Sequence, residues 1–109
     1  MKLTGKCKED FEKWFREQQV LKLDSSYTEV VFILLSDSMK YGVYVDWFDS
    51  VGINVNVGGK IGGSWNLLFL IEIYDSHREI VYDYKLFKTR QEARDKAIEK
   101  ANEIRNEQL

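Results

Sequence analysis

The segment KYGVYVDWFDSVG, residues 40–52, constrains the fold more than any other. It carries the rings of Tyr41, Tyr44, Trp47 and Phe48, with Asp46 and Asp49 as its acids. Drawn as a strand, it places Met39, Tyr41, Val43, Val45 and Trp47 on one face. Wound as a helix, at about 100° per residue, it gathers Gly42, Asp46 and Asp49 on one narrow stripe. The apolar residues then fill the rest of the circumference. The helical pattern accounts for the polar positions as well as the apolar ones. It also gives Ser36 or Ser38 a role as N-cap and Gly52 a role as left-handed terminator. The expectation is a helix over 37–50, mostly buried, with Asp46 and Asp49 reaching water.

The flanking segments follow from their periods. Residues 6–20 read as a helix with Cys7, Phe11, Trp14, Phe15 and Gln18 on one face. Glu9 and Asp10 are assigned to its first turn, where the helix dipole favours acids. Leu21 to Ser26 reads as a connector. Tyr27 to Leu35 suits either a buried strand or a helical lead-in, and the lead-in is preferred. Ile53 to Val57 alternates as a strand with one polar face. The stretch GGKIGG, residues 58–63, reads as a flexible turn. Trp65 to Tyr74 is apolar on both faces through Leu70, as in a central strand covered on each side. Asp75 to Arg78 is a turn, and Glu79 to Phe87 alternates again. Thr89 and Glu92 form a capping box for a last helix with Ala93, Ala97, Ala101 and Ile104 on one face and Ile98 at its edge. Lys96, Glu99, Lys100 and Glu103 face water. The expected fold is a single α+β domain: N-terminal helices, a three-stranded antiparallel sheet, and a C-terminal helix packed on the sheet.

Composition agrees with one folded domain. A chain of 109 residues buries roughly two-thirds of its unfolded surface and needs no covalent staples. With 31% charged and 44% hydrophobic residues, it is not of the disordered class. The net charge of −2 supplies no global field toward nucleic acid or an anionic membrane. Charge is nonetheless segregated. Residues 24–57 hold a net of −4, and residues 85–96 a net of +3. Cys7 is the single cysteine, so no intramolecular disulfide forms, which fits a reducing compartment. The start lacks a secretory signal, and the apolar runs VVFILL and LLFLI are too short to cross a bilayer. The expected location is the cytoplasm, with no membrane partner.

Two segments carry a family likeness: SMKYGVYVDWFDSVGI, residues 38–53, and KTRQEARDKAIEKANEI, residues 88–104. Together they resemble a group of small uncharacterised proteins encoded in phage and prophage regions of gut anaerobic bacteria. In that group a segment like M-x-Y-G-V-x-x-D-[FW]-F-D-S precedes a variable β region, and one like T-R-x-E-A-R-x-x-A-I-x-K-A-N-E closes the chain. The resemblance implies a phage-linked bacterial origin. It carries over no site residues, because the group has no assigned activity. It implies a β region that is either scaffold or the place where members differ in partner.

No catalytic constellation is visible. His77 is the single histidine and lies in the turn DSHRE, so it reads as a solvated residue rather than a general base. Without a second histidine or cysteine there is no zinc site and no nucleophilic triad. Asp46 and Asp49, with Asp37 nearby, are helical neighbours, but an oxygen cage for a cation needs more ligands than these. They read as a polar stripe, with an ion pair to Arg90 or Arg94 as a secondary expectation. GGKIGG lacks the order of the phosphate-binding P-loop and reads as a hairpin loop open to contacts.

Two surfaces remain as candidates. Lys85, Lys88, Arg90, Arg94 and Lys96 cluster at the start of the last helix, where they offer contacts for phosphates or for an acidic partner. Tyr82 and Tyr84 mark a partner surface if one sheet face stays uncovered. The leading expectation is a non-enzymatic module, without cofactor, that binds a protein partner or itself. The alternative is nucleic-acid binding through Lys88, Arg90 and Arg94, akin to double-stranded-RNA-binding domains by fold analogy alone. An enzyme ranks third.

Overall fold

A computed structural model describes residues 1–18, 30–63, 65–75 and 79–109, with backbone alone over 79–85. Its elements are α1 (Gly5–Glu17), α2 (Asp37–Ser50), β1 (Ile53–Ile61), β2 (Leu67–Asp75), β3 (Glu79–Phe87) and α3 (Arg90–Gln108). The strands form one antiparallel sheet in the order β1-β2-β3. The chain is α+β, with α3 lying against β1 and β2.

The aromatic segment is helical over the expected span. Ser36 caps it by accepting a hydrogen bond from Met39 N at 3.3 Å, and Gly52 ends it at φ +83°. Gly42, Asp46 and Asp49 lie exposed on one stripe. Tyr44, Trp47 and Phe48 are buried, the last two almost completely. Each large side chain buried in this way contributes about 1.5–3 kcal/mol relative to exposure. Residues 30–33 form a helical turn ahead of α2, in line with the lead-in. The connector at 21–26 and residues 27–29 fall outside the described residues.

The sheet departs from expectation at its first hairpin. β1 does not stop at Val57. It runs through Gly58 and Gly59 to Ile61, paired with Leu67. The turn is therefore 62–66, closed by hydrogen bonds from Gly62 N to Asn66 O and from Trp65 N to Gly62 O, both 2.9 Å. Trp65 belongs to this turn, at φ +65°, and β2 begins at Leu67. Glycine here makes room rather than bending the chain: a Cβ on Gly59 would stand 3.2 Å from the Leu67 side chain.

β2 is the central strand, but among the described residues helices cover one face of it. Phe69, Ile71 and Ile73 are buried on the face that α3 covers, whereas Leu68, Leu70, Glu72 and Tyr74 stay partly exposed. Asn54 and Asn56 of β1 are exposed, as expected of a polar face. On α3, Thr89 Oγ1 accepts from Glu92 N at 3.1 Å. Ala93, Ala97, Ile98 and Ala101 are fully buried. The outer face carries the Lys96–Glu99 and Lys100–Glu103 pairs.

The N-terminal helix is held by two asparagines that periodicity alone does not single out. α1 starts at Gly5, with φ +62°, so Glu9 and Asp10 lie beyond its first turn. Asp10 instead meets Arg105 at 3.0 Å. The free backbone groups at the start of α1 are served from α3. Asn102 Oδ1 accepts from Thr4 N at 2.9 Å, and Asn102 Nδ2 donates to Thr4 Oγ1 at 2.9 Å. Asn106 Oδ1 accepts from Cys7 N at 2.9 Å, and Asn106 Nδ2 donates to Thr4 O at 3.0 Å. These two side chains do the work of an N-cap across 98 or more residues of sequence. Glycine is favoured at position 5 by φ, and a Cβ there would stand 3.0 Å from Asn106 Oδ1 and press on the side chain that makes these bonds.

Asn102 is the one buried polar residue among those described. Asn102→Ala removes two hydrogen bonds and strands a backbone donor at the start of α1. The expected loss is about 2–3 kcal/mol of stability in urea denaturation. A loss below about 0.5 kcal/mol, the range of an ordinary surface substitution, would contradict this role.

Candidate interaction surface

The β1–β2 hairpin is longer than β3 can flank. β3 ends at Phe87, which stands opposite Phe69, and α3 begins three residues later. Arg90 lies over the Phe69 ring, 5.2 Å from its centroid, and is the last cover that α3 provides. Beyond it the hairpin projects bare. Ile61 is 60% exposed, Leu67 54% and Trp65 87%. Ile61 and Leu67 are register partners and share a face. Leu86, on β3 next to Phe87, is also exposed. Trp65 stands bare in the turn, Ile61 and Leu67 form a bare pair at its base, and Lys60 is exposed on the neighbouring strand position, so the tip is largely apolar with one cation on it.

The basic cluster is divided: Arg94 is built into the fold, whereas Lys88 and Arg90 stand at the surface. Arg94 lies 4.9 Å from the Tyr41 ring centroid and donates from Nη1 to Ser38 Oγ at 3.1 Å. Its Nε is buried without a hydrogen-bond partner. Lys96 pairs with Glu99 at 3.4 Å. Lys88 and Arg90 are exposed. Lys88 and Lys96 share a shallow groove with Glu92, Asp95 and Glu99, which interrupts the positive potential. The side chain of Lys85 lies outside the described residues.

The expected ion pairs from Asp46 or Asp49 to these arginines are not formed. Arg94 reaches the N-terminal turns of α2, at Ser38 and Tyr41, whereas both acids sit in its C-terminal half. Asp49 Oδ1 accepts from Asn54 Nδ2 at 3.2 Å, and Asp46 faces solvent. The two acids share a stripe, as their spacing requires.

Tyr82 stands opposite Glu72 in the strand register. The side chains of Tyr82 and Tyr84, and all of His77, lie outside the described residues. Among the described residues no group of three or more His, Cys, Asp or Glu side chains is placed to hold a metal ion. Among them, too, no helix is long and apolar enough to cross a membrane. Comparison with family models, curated proteins and solved structures returns no match.

Reading by period missed the hairpin tip because a glycine cluster is weighted as turn chemistry. The overlooked signal was Ile61 and Leu67, an apolar pair symmetric about the true turn.

Cys7 and Tyr44 sit together in the core and carry the clearest titration shifts. Burial pushes the Cys7 thiol up from 9.0 to about 12, with Arg105 opposing and Asp10 assisting. Burial, then Cys7 and Glu12, push the Tyr44 hydroxyl up from 10.0 to about 12. Both groups are protonated and neutral when folded at neutral pH, so Cys7 is no nucleophile there. Above about pH 9 the unfolded chain releases these protons while the folded chain keeps them. Stability is therefore expected to fall as pH rises from about 9 to about 12. Urea midpoints of wild type and Cys7→Ala measured across that range test this. The slope should be shallower in the variant, and equal slopes would contradict it.

Proposed function

We propose that this protein is a non-enzymatic interaction module that docks on a protein partner through the tip of the β1–β2 hairpin. The carrying observation is Trp65, 87% exposed in the turn that joins the exposed pair Ile61 and Leu67. Tryptophan is enriched among interface hot spots, whose truncation costs about 2 kcal/mol or more of binding. Lys60, Lys88 and Arg90 are exposed near this end of the sheet, so the matching surface is an apolar socket with an acidic rim. The resemblance of residues 38–53 and 88–104 to phage and prophage proteins supports a bacterial cytoplasmic setting and a phage or host protein as partner. The lone, buried Cys7 agrees with a reducing compartment.

A photoreactive residue at position 67, with a control at position 99, tests the reading in the producing bacterium. The expected result is a discrete adduct from position 67, lost when Trp65→Ser is added. A mass equal to two chains means self-association, and another mass means a different partner. Both support the reading. Equal labelling from both positions, with a monomer in sedimentation at all concentrations, counts against it.

The second reading is nucleic-acid binding, favoured by exposed Lys88 and Arg90 at the start of α3. Arg94 occupied by Ser38 and Tyr41, and the acids within the groove, weigh against it. Its test is a mobility shift on double-stranded RNA and DNA at low salt, compared with Arg90→Ala and Arg94→Ala. A salt-sensitive shift lost in both variants would establish it. The expected result is no shift.

A further inference from the structure

The far end of the molecule holds a second feature, unrelated to the hairpin tip. A cleft of about 390 Å³ opens between the start of the chain, α1, the helical turn at 30–33 and α2. Its size falls within the range of small-molecule sites, roughly 300–1,000 Å³. Phe11 and Phe15, one turn apart on α1, line it in stacked array with centroids 5.8 Å apart. Phe32 meets both, at 5.4 Å from each, and Tyr44 meets Phe32 at 5.3 Å. These rings and Leu3 make an apolar floor.

The rim has the opposite character. Lys8, Glu12 and Arg16 follow one another at four-residue spacing on α1, and Lys2 joins them from the leading segment. Lys8 already neutralises Glu12, at 3.9 Å. Lys2 and Arg16 are left in excess over the rim's acid, and both are exposed. The chain as a whole is acidic, so this local excess runs against the global charge of −2.

We propose that this cleft binds a small anionic amphiphile: an apolar chain laid on the rings, with a carboxylate held at the rim by Arg16 and Lys2. An apolar floor alone would accept a neutral or cationic molecule equally well. The cationic rim selects the anion. Arg16 also presents the planar fork that matches a carboxylate. The site takes no part in the hairpin interaction and does not depend on it.

The probe is dodecanoate below its micelle concentration, titrated calorimetrically and by amide NMR into the full chain, with dodecyltrimethylammonium as the cationic match. Saturable one-to-one binding of dodecanoate, with amide shifts centred on residues 11–16 and 32–44, is expected. The cationic probe should bind more weakly. The double variant Lys2→Gln with Arg16→Gln alters exposed side chains alone and should weaken dodecanoate about tenfold. Trp65→Ser should leave the affinity unchanged. Absence of saturable binding, equal binding of both probes, shifts centred on residues 61–67, or an unaltered affinity in the double variant would each overturn the proposal.

Discussion

The close seating of α3 on the sheet governs the rest of the molecule. Ala93, Ala97 and Ala101 present no bulk, so the helix lies directly over β1 and β2. Where it begins is fixed by the strand before it. β3 ends opposite Phe69, Thr89 caps the helix two residues later, and α3 then runs back across the sheet. Cover must therefore stop near Phe69. The hairpin continues past that level, with β1 paired through Gly58 and Gly59 to Ile61. An uncovered apolar tip is the geometric consequence of a long hairpin beside a short third strand.

The other end of α3 serves a different purpose. A helix of 19 residues spans about 28 Å, so Asn102 and Asn106 lie far from Arg90. They spend their amides on the free backbone groups of α1. Burying an asparagine is costly unless its donors and acceptors are used, and here both groups of both residues are engaged. Helix α1 thereby gains a fixed direction relative to the sheet. Its Phe11 then reaches Tyr44 and Trp47 of α2, at 5.0 and 5.5 Å. One helix sets both the limit of the exposed tip and the floor of the aromatic cleft.

Much of this was legible where a pattern had a single physical solution. The stripe of Gly42, Asp46 and Asp49 admits one winding and Gly52 marks its end, whereas Ser36 and Ser38 both suit its start and only the cap in the structure selects Ser36. The alanine row of α3 and its Thr89 cap are equally unambiguous. The sequence was misleading where one residue type serves two ends. Glycine serves turns and tight strand pairs alike, so GGKIGG concealed the last part of β1. Apolar alternation on both faces of 65–70 suggested two-sided cover, yet Leu68 and Leu70 remain partly exposed. Asn102 and Asn106 have no periodic signature, because their partners lie about a hundred positions away. Arginine was the third ambiguity. Its charge pointed to Asp46 and Asp49, while its flat guanidinium settled on Tyr41 and Phe69.

That choice by the arginines separates the two candidate surfaces chemically. Stacked on rings, Arg90 and Arg94 work as packing material while retaining their charge, and the groove beside them mixes both signs. A polyanion gains affinity with each phosphate that a cation neutralises, and on this face Glu92, Asp95 and Glu99 offset the cations. A protein partner needs less: one buried anchor and a tolerant rim. The cleft at the opposite end inverts the arrangement, with rings inside and Lys2 and Arg16 free at its edge. A single anionic group, not a polymer, matches that geometry. The same residue types thus lead to different partners, according to whether the ring or the solvent holds the guanidinium.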